Sequence, residues 1–162
     1  MPLPEQLTQQ VLERVEQCYL QAETQLNCVL ARPIVLFNQR GKIAGTALLQ
    51  RNTLRFHPQI LRQNIPHYIE HVIAHEAAHL IVWQRYGRVQ PHGQHWQYVM
   101  TQIFNLPAAR THSYNTDNIG IKEISYQCQC SVIKFSVRRH NMVLKGTRYL
   151  CRSCRSELQP MP

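Results

Sequence analysis

The chain has 162 residues and a formal net charge of +9, which is enough length for one ordinary domain plus a small appendage. No uninterrupted apolar run approaches the roughly 20 residues of a membrane-spanning helix. The opening Met1–Leu7 also lacks the basic and apolar stretches of a secretory signal, so a cytoplasmic location is expected.

Residues 4–27 read as an amphipathic helix, with Leu7, Val11, Val15, Cys18, Ala22 and Leu26 recurring every three or four positions. Ile34–Phe37 follows as a short strand, and Asn38-Gln39-Arg40-Gly41 turns the chain. Ile43–Leu49 and Thr53–Phe56 read as two further strands. Cys18 and Cys28 lie far from any cysteine pair and read as buried or free thiols.

The next helix starts at Asn64 as N-cap, with Pro66 in its first turn, and stops at Gly87. Within it stands His75-Glu76-Ala77-Ala78-His79, an HExxH motif amid apolar neighbours. Histidines four apart lie about 6 Å along a helix and about 40° around it, so both imidazoles leave one face and can share a zinc ion. Glu76 stands beside that ion without ligating it, placed to take a proton from an activated water. His71 extends the same stripe and reads as a neighbour of the site or a surface residue, because a straight helix does not aim three successive imidazoles at one ion.

A catalytic zinc needs a third protein ligand and an open position. No Asp or Glu occurs between Glu76 and Asp117, and positions 82 and 85 are Val and Arg, so neither a downstream glutamate nor an HExxHxxGxxH pattern supplies it. The candidates are His92, in the turn Pro91-His92-Gly93, then His95, then His112. The helix after that turn, about 94–104, carries Trp96, Val99, Met100 and Ile103 at core spacing.

Periodicity fades from Pro107, and residues 110–124 read as a connecting arm. Cys128-x-Cys130 and Cys151-x-x-Cys154 then bracket a basic, strand-like stretch, with strands expected near 132–137 and 147–150. Two such pairs in a chain without a visible signal favour a structural zinc over disulfides. The first pair is one residue short of the usual spacing, which keeps His140 as an alternate ligand. Zinc binding worth roughly 10–16 kcal/mol would supply the core that so small a segment lacks. The positive charge concentrates here as well. Residues 110–162 carry nine Lys/Arg against three Asp/Glu, while residues 1–109 carry nine against six.

The segments Ile69–Trp83, Gly87–Trp96, Gln39–Ala47, Leu106–His112 and Tyr126–Leu158 together resemble the SprT family, zinc metallopeptidase-like proteins related to the Spartan DNA–protein crosslink proteases. The resemblance covers about the whole chain and departs at His71, where an acidic residue is expected. It implies an α+β fold: a zincin-like metalloprotease domain over 1–109 (N-terminal helix, small antiparallel sheet, HExxH helix, further helix), then a zinc ribbon over 125–162. It also implies His75, His79 and His92 as ligands of a catalytic zinc, Glu76 as general base, and Cys128, Cys130, Cys151 and Cys154 around a structural zinc. Arg110, His112 or Tyr114 would be the second oxyanion donor. The implied substrate is protein on DNA, held by sequence-independent, steeply salt-sensitive contacts from Lys134, Arg138, Arg139, Lys145, Arg148, Arg152 and Arg155. Tyr126, Phe135 or Tyr149 would stack on exposed bases, with the ribbon's own small core as the other reading of Phe135 and Tyr149. The other readings are a non-catalytic zinc-containing adaptor and a hydrolase of small amides.

Overall fold

The computed structural model describes residues 3–110, 114 and 122–161. The chain divides into two compact units, Met1–Ile119 and Gly120–Pro162, and its fold class is α+β.

In the first unit, α1 (Glu5–Leu26) buries Leu7, Val11, Val15, Cys18, Tyr19 and Ala22: the stripe its periodicity predicts gains Tyr19, while Leu26 at the helix end stays half-buried. It ends where Asn27 turns left-handed, with φ 46°. Three strands follow: β1 (Ile34–Leu36), β2 (Gly45–Leu48) and β3 (Thr53–Phe56), in the order β1-β3-β2. β2 and β3 form the expected antiparallel hairpin through the turn Leu49–Arg51. β1, however, pairs parallel to β3, so the sheet is mixed and not the antiparallel one expected. The reason is connectivity. No hairpin joins β1 to β3, and the chain crosses to the far side of β3 before β2 begins.

A short helix, α2 (Pro58–Gln63), fills a stretch for which no element was expected. Its cap is His57, whose Nδ1 accepts from the backbone N–H of Gln59 and Ile60. An imidazole is not among the usual capping residues, so the start signal was not visible. Asn64 does not cap by its side chain, which donates to the Ile60 carbonyl; its backbone carbonyl accepts the Tyr68 N–H instead. The helical path then runs through α3 (Ile65–His67), a π-turn at Tyr68–Val72 and α4 (Ile73–Tyr86). It stops at Gly87, whose φ of 71° favours a residue without Cβ. α4 packs on both α1 and β2 and buries Ile73, Ala74, Ala77, Ala78, Leu80, Ile81 and Val82. The expected helix at 94–104 is α5 (Gln94–Tyr98) followed by a π-turn at Val99–Ile103, with Trp96, Val99, Met100 and Ile103 buried.

The second unit is a sheet of order β5-β4-β6, built from β4 (Glu123–Gln127), β5 (Val132–Ser136) and β6 (Gln159–Pro160). Tyr126, Phe135 and Leu158 form its core. The expected strand at 147–150 is reduced to a single bridge, Leu150 to Glu157. A helix not foreseen, α6 (Val137–Leu144), follows β5 directly because the Ser136 hydroxyl accepts the Arg139 N–H.

Candidate active site and metal centres

His75 and His79 leave α4 on consecutive turns, and the loop after Gly87 returns His92 to them. The three Nε2 atoms stand 3.1–3.2 Å from one another. His92 adopts φ 54°, a left-handed conformation that histidine tolerates better than most residues. Its carbonyl accepts from Gln97 Nε2 at 2.9 Å, while the Gly93 N–H closes the turn onto the Gln90 carbonyl. Trp96 supports all three rings: its centroid lies 4.8, 5.6 and 4.6 Å from those of His75, His79 and His92, and its indole N–H donates to the His75 carbonyl.

The donor set fits a metal. Three imidazole nitrogens turned towards one point cannot satisfy one another pairwise by hydrogen bonds, whereas a cation among them takes three lone pairs. The centre of their triangle lies about 1.8 Å from each nitrogen, close to the usual zinc–nitrogen length of about 2.0–2.1 Å, so the three imidazoles would suit zinc. Burial also keeps the rings neutral. It lowers the His79 pKa to about 4, and it lowers that of His92, where the positive charge of Arg110 adds to the effect. The other histidines lie elsewhere. His95 stacks on Tyr86, and His71 packs on His67 beside Glu70. His112 is outside the described residues.

Glu76 lies in the same cleft, of about 380 Å³, bounded by the triad, Trp83 and β2. Burial raises its carboxyl to about 7, against the lowering effect of a hydrogen bond from the Ala47 N–H. β2 approaches so closely because position 45 is glycine. A Cβ there would meet Glu76 Cγ at 2.8 Å and Val72 Cγ1 at 3.2 Å. The strand is latched to the helix just upstream. The Tyr68 hydroxyl donates to the Ala44 carbonyl, and the His57 N–H donates to both. Gly45, Ala47 and Tyr68 were therefore not singled out from the sequence as site residues. The one visible signal is a glycine inside the expected strand 43–49, a position that often marks a close approach of backbone. Of the oxyanion candidates, Arg110 is exposed and acts on His92 through its charge. Tyr114 is hydrogen-bonded to His67 Nδ1 at 2.7 Å and stacks on Tyr68.

In the second unit, Cys128 and Cys130 on the β4–β5 turn meet Cys151 and Cys154, all four as free thiols. Their sulfurs lie within 4.8 Å of one another, with Cys128–Cys130 at 3.5 Å and Cys130–Cys151 at 3.6 Å. Tetrahedral zinc with bonds of about 2.3 Å spaces its sulfurs about 3.8 Å apart, so these residues fit it. Hydrogen bonds from the Ser131 and Ser156 hydroxyls lower Cys128 to about 6 and Cys154 to about 7, whereas the neighbouring sulfurs raise Cys130, so without a metal the cluster does not hold all its thiols ionised at once. His140 is bonded to the Tyr126 hydroxyl at 2.9 Å, outside the cysteine cluster, so the alternate-ligand reading is corrected. Tyr126 and Phe135 are fully buried and stacked on each other; with Tyr149 against Phe135 they are core and not exposed platforms.

Among the basic candidates, Arg138 and Lys145 are exposed, Lys134 lies 3.9 Å from Glu123, and Arg148 lies 3.8 Å from Glu157. Arg139 lies over the rings of Phe135 and Tyr149.

Comparison with known proteins gives the family. The sequence profile of the SprT-like family matches residues 8–112, a span that holds the triad and Glu76. Protein SprT of Shewanella oneidensis is 43% identical over 153 residues, covering 94% of this chain and 98% of its own. Protein SprT of Pseudomonas fluorescens strain SBW25 is 45% identical over 159 residues, with coverage of 96% and 94%. Protein SprT of Pseudomonas paraeruginosa is 45% identical over 149 residues, covering 90% of each chain. No solved structure matches. With a family profile spanning well over half its length and relatives aligned almost end to end, the chain belongs to the SprT-like family.

Proposed function

We propose that the chain is a zinc-dependent metallopeptidase of zincin-like design that hydrolyses peptide bonds in DNA-associated proteins. The observation that carries this reading is Glu76, a buried carboxylate held by a backbone N–H at the open side of three converging imidazoles. A purely structural metal site has no use for such a group.

His75, His79 and His92 would hold zinc, which would supply Lewis acidity towards a carbonyl oxygen and a water of lowered pKa. Glu76 takes that water's proton and returns it to the leaving amine, with the Ala47 N–H fixing the carboxylate's orientation. Trp96 and Gln97 hold the imidazoles and the His92 loop still while this happens. Among the described residues β2 is an edge strand, so a substrate backbone can pair with it beside the cleft. Main-chain pairing of this kind reads side chains weakly, which suits an enzyme that cuts many different proteins. The second unit, stapled by zinc on its four cysteines, would carry exposed Arg138 and Lys145 against phosphates, together with Lys134, Arg139 and Arg148.

The test is cleavage of a DNA-bound protein by the zinc-loaded chain and by Glu76→Gln, each with and without single-stranded DNA. The expected outcome is cutting that DNA stimulates and that falls by about 10²–10⁴-fold in the variant, with zinc content unchanged. DNA binding without cutting in any lane would establish the adaptor reading instead.

A further inference from the structure

The catalytic cleft does not end at the triad. A second cavity of about 670 Å³ shares Ala47, Leu49, Trp83, Val89 and Pro91 with it, so the two form one continuous groove. Trp83, one turn beyond His79 on α4, is its partly exposed floor. The Leu49–Arg51 turn and the Arg88–Pro91 loop are its walls. Arg51 and Arg88 line this far cavity, one on each wall, and both are exposed. Neither guanidinium has an ion pair or hydrogen bond among the described residues. No Asp or Glu occurs anywhere in residues 24–69 or 77–116, so the segments that build the groove offer these cations no counter-charge.

We propose that this far cavity is a substrate subsite for an apolar side chain flanked by an acidic one, on the amino side of the scissile bond. The inference rests on the peptidase reading. Its direction follows from how β2 lies on α4. The Gly45 end packs on Val72 and Glu76, and the chain beyond Leu48 reaches Trp83. A strand added antiparallel to β2, the slightly more stable pairing, therefore brings its amino-terminal part to the Trp83 end. At about 3.3 Å per residue, Leu49–Arg51 faces residues roughly two to four positions before the cut. The aliphatic walls and the indole remove an apolar side chain from water. The two arginines offer forked donors that match a carboxylate and repel Lys or Arg, so the pocket selects by attraction and by repulsion.

The experiment uses the full zinc-loaded chain with single-stranded DNA and a mixture of unstructured peptides, with cut sites mapped by mass spectrometry. Wild type is expected to cut about tenfold more often where an apolar–acidic pair lies about two to four positions before the cut than where an apolar–basic pair lies there. The Arg51→Glu/Arg88→Glu chain is expected to invert that preference, and the milder Arg88→Gln chain to weaken it. An unchanged site profile in all three, whether or not DNA affinity drops, overturns the subsite and leaves the peptidase reading standing. No cutting of any peptide by wild type overturns the peptidase reading and the subsite with it.

Discussion

Neutral imidazoles and a protonatable carboxyl share the cleft, and burial acts on them in opposite senses. For His79 the folded value is about 4 against an ordinary 6.5, so between those limits the unfolded chain binds the extra proton and stability rises with pH. For Glu76 the folded value is about 7 against 4.5, so the folded chain binds the extra proton and stability falls from pH 4.5 to 7. In the metal-free protein the two contributions partly cancel. Metal-free Glu76→Gln should therefore gain more stability than metal-free wild type as pH rises from 4.5 to 7, by on the order of 1–3 kcal/mol. Urea unfolding at several pH values measures this. Parallel curves for the two chains would mean that Glu76 ionises without a burial penalty.

Among the elements, β2 matters most for the site, because the same strand orients Glu76, offers the free edge and forms one wall of the groove. Its seat depends on Gly45. In Gly45→Ala the new methyl group would lie 2.8 Å from Glu76 Cγ and 3.3 Å from Glu76 Oε1. The flexible member of that contact is the Glu76 side chain itself, so the carboxylate yields before the backbone does. The variant should keep its zinc and lose at most about 1–2 kcal/mol of stability, while turnover falls at least about tenfold. Thermal melting and cleavage assays on one preparation separate the two effects. Equal activity in the two chains would show that Glu76 has slack the packing does not reveal. The π-turn at Tyr68–Val72 belongs to the same device, since it lies between the Tyr68 latch and the first residues of α4.

For the molecule as a whole, the two units differ in what holds them together. The first buries a broad core of α1, α4 and β3 side chains, whereas the second has Tyr126, Phe135 and Leu158. A segment of that size rarely folds on its apolar core alone. A strong chelator should therefore unfold the second unit while the first keeps its helices. Hydrogen exchange would show amides of β4 and β5 losing protection and those of α1 and α4 retaining it. Uniform protection after complete metal removal would assign the second unit's stability to its small core.

What the sequence alone determined was local. The HExxH spacing placed His75 and His79 on one helix face, Gly87 marked that helix's end, and the stripe in 4–27 marked α1's buried side. The cysteine pairs likewise announced a four-thiol cluster, because two close pairs need only one turn each. These features follow from residue spacing within a single helix or turn, the joining of the two cysteine turns excepted. The tertiary structure decided which distant groups meet. It chose His92 over His95 as the third imidazole of the triad and set β1 parallel to β3. It made His57 a helix cap, turned His140 to Tyr126, and pressed Gly45 onto Glu76. No period or spacing encodes such contacts, because each depends on the order in which strands pair and on how closely two backbones can approach.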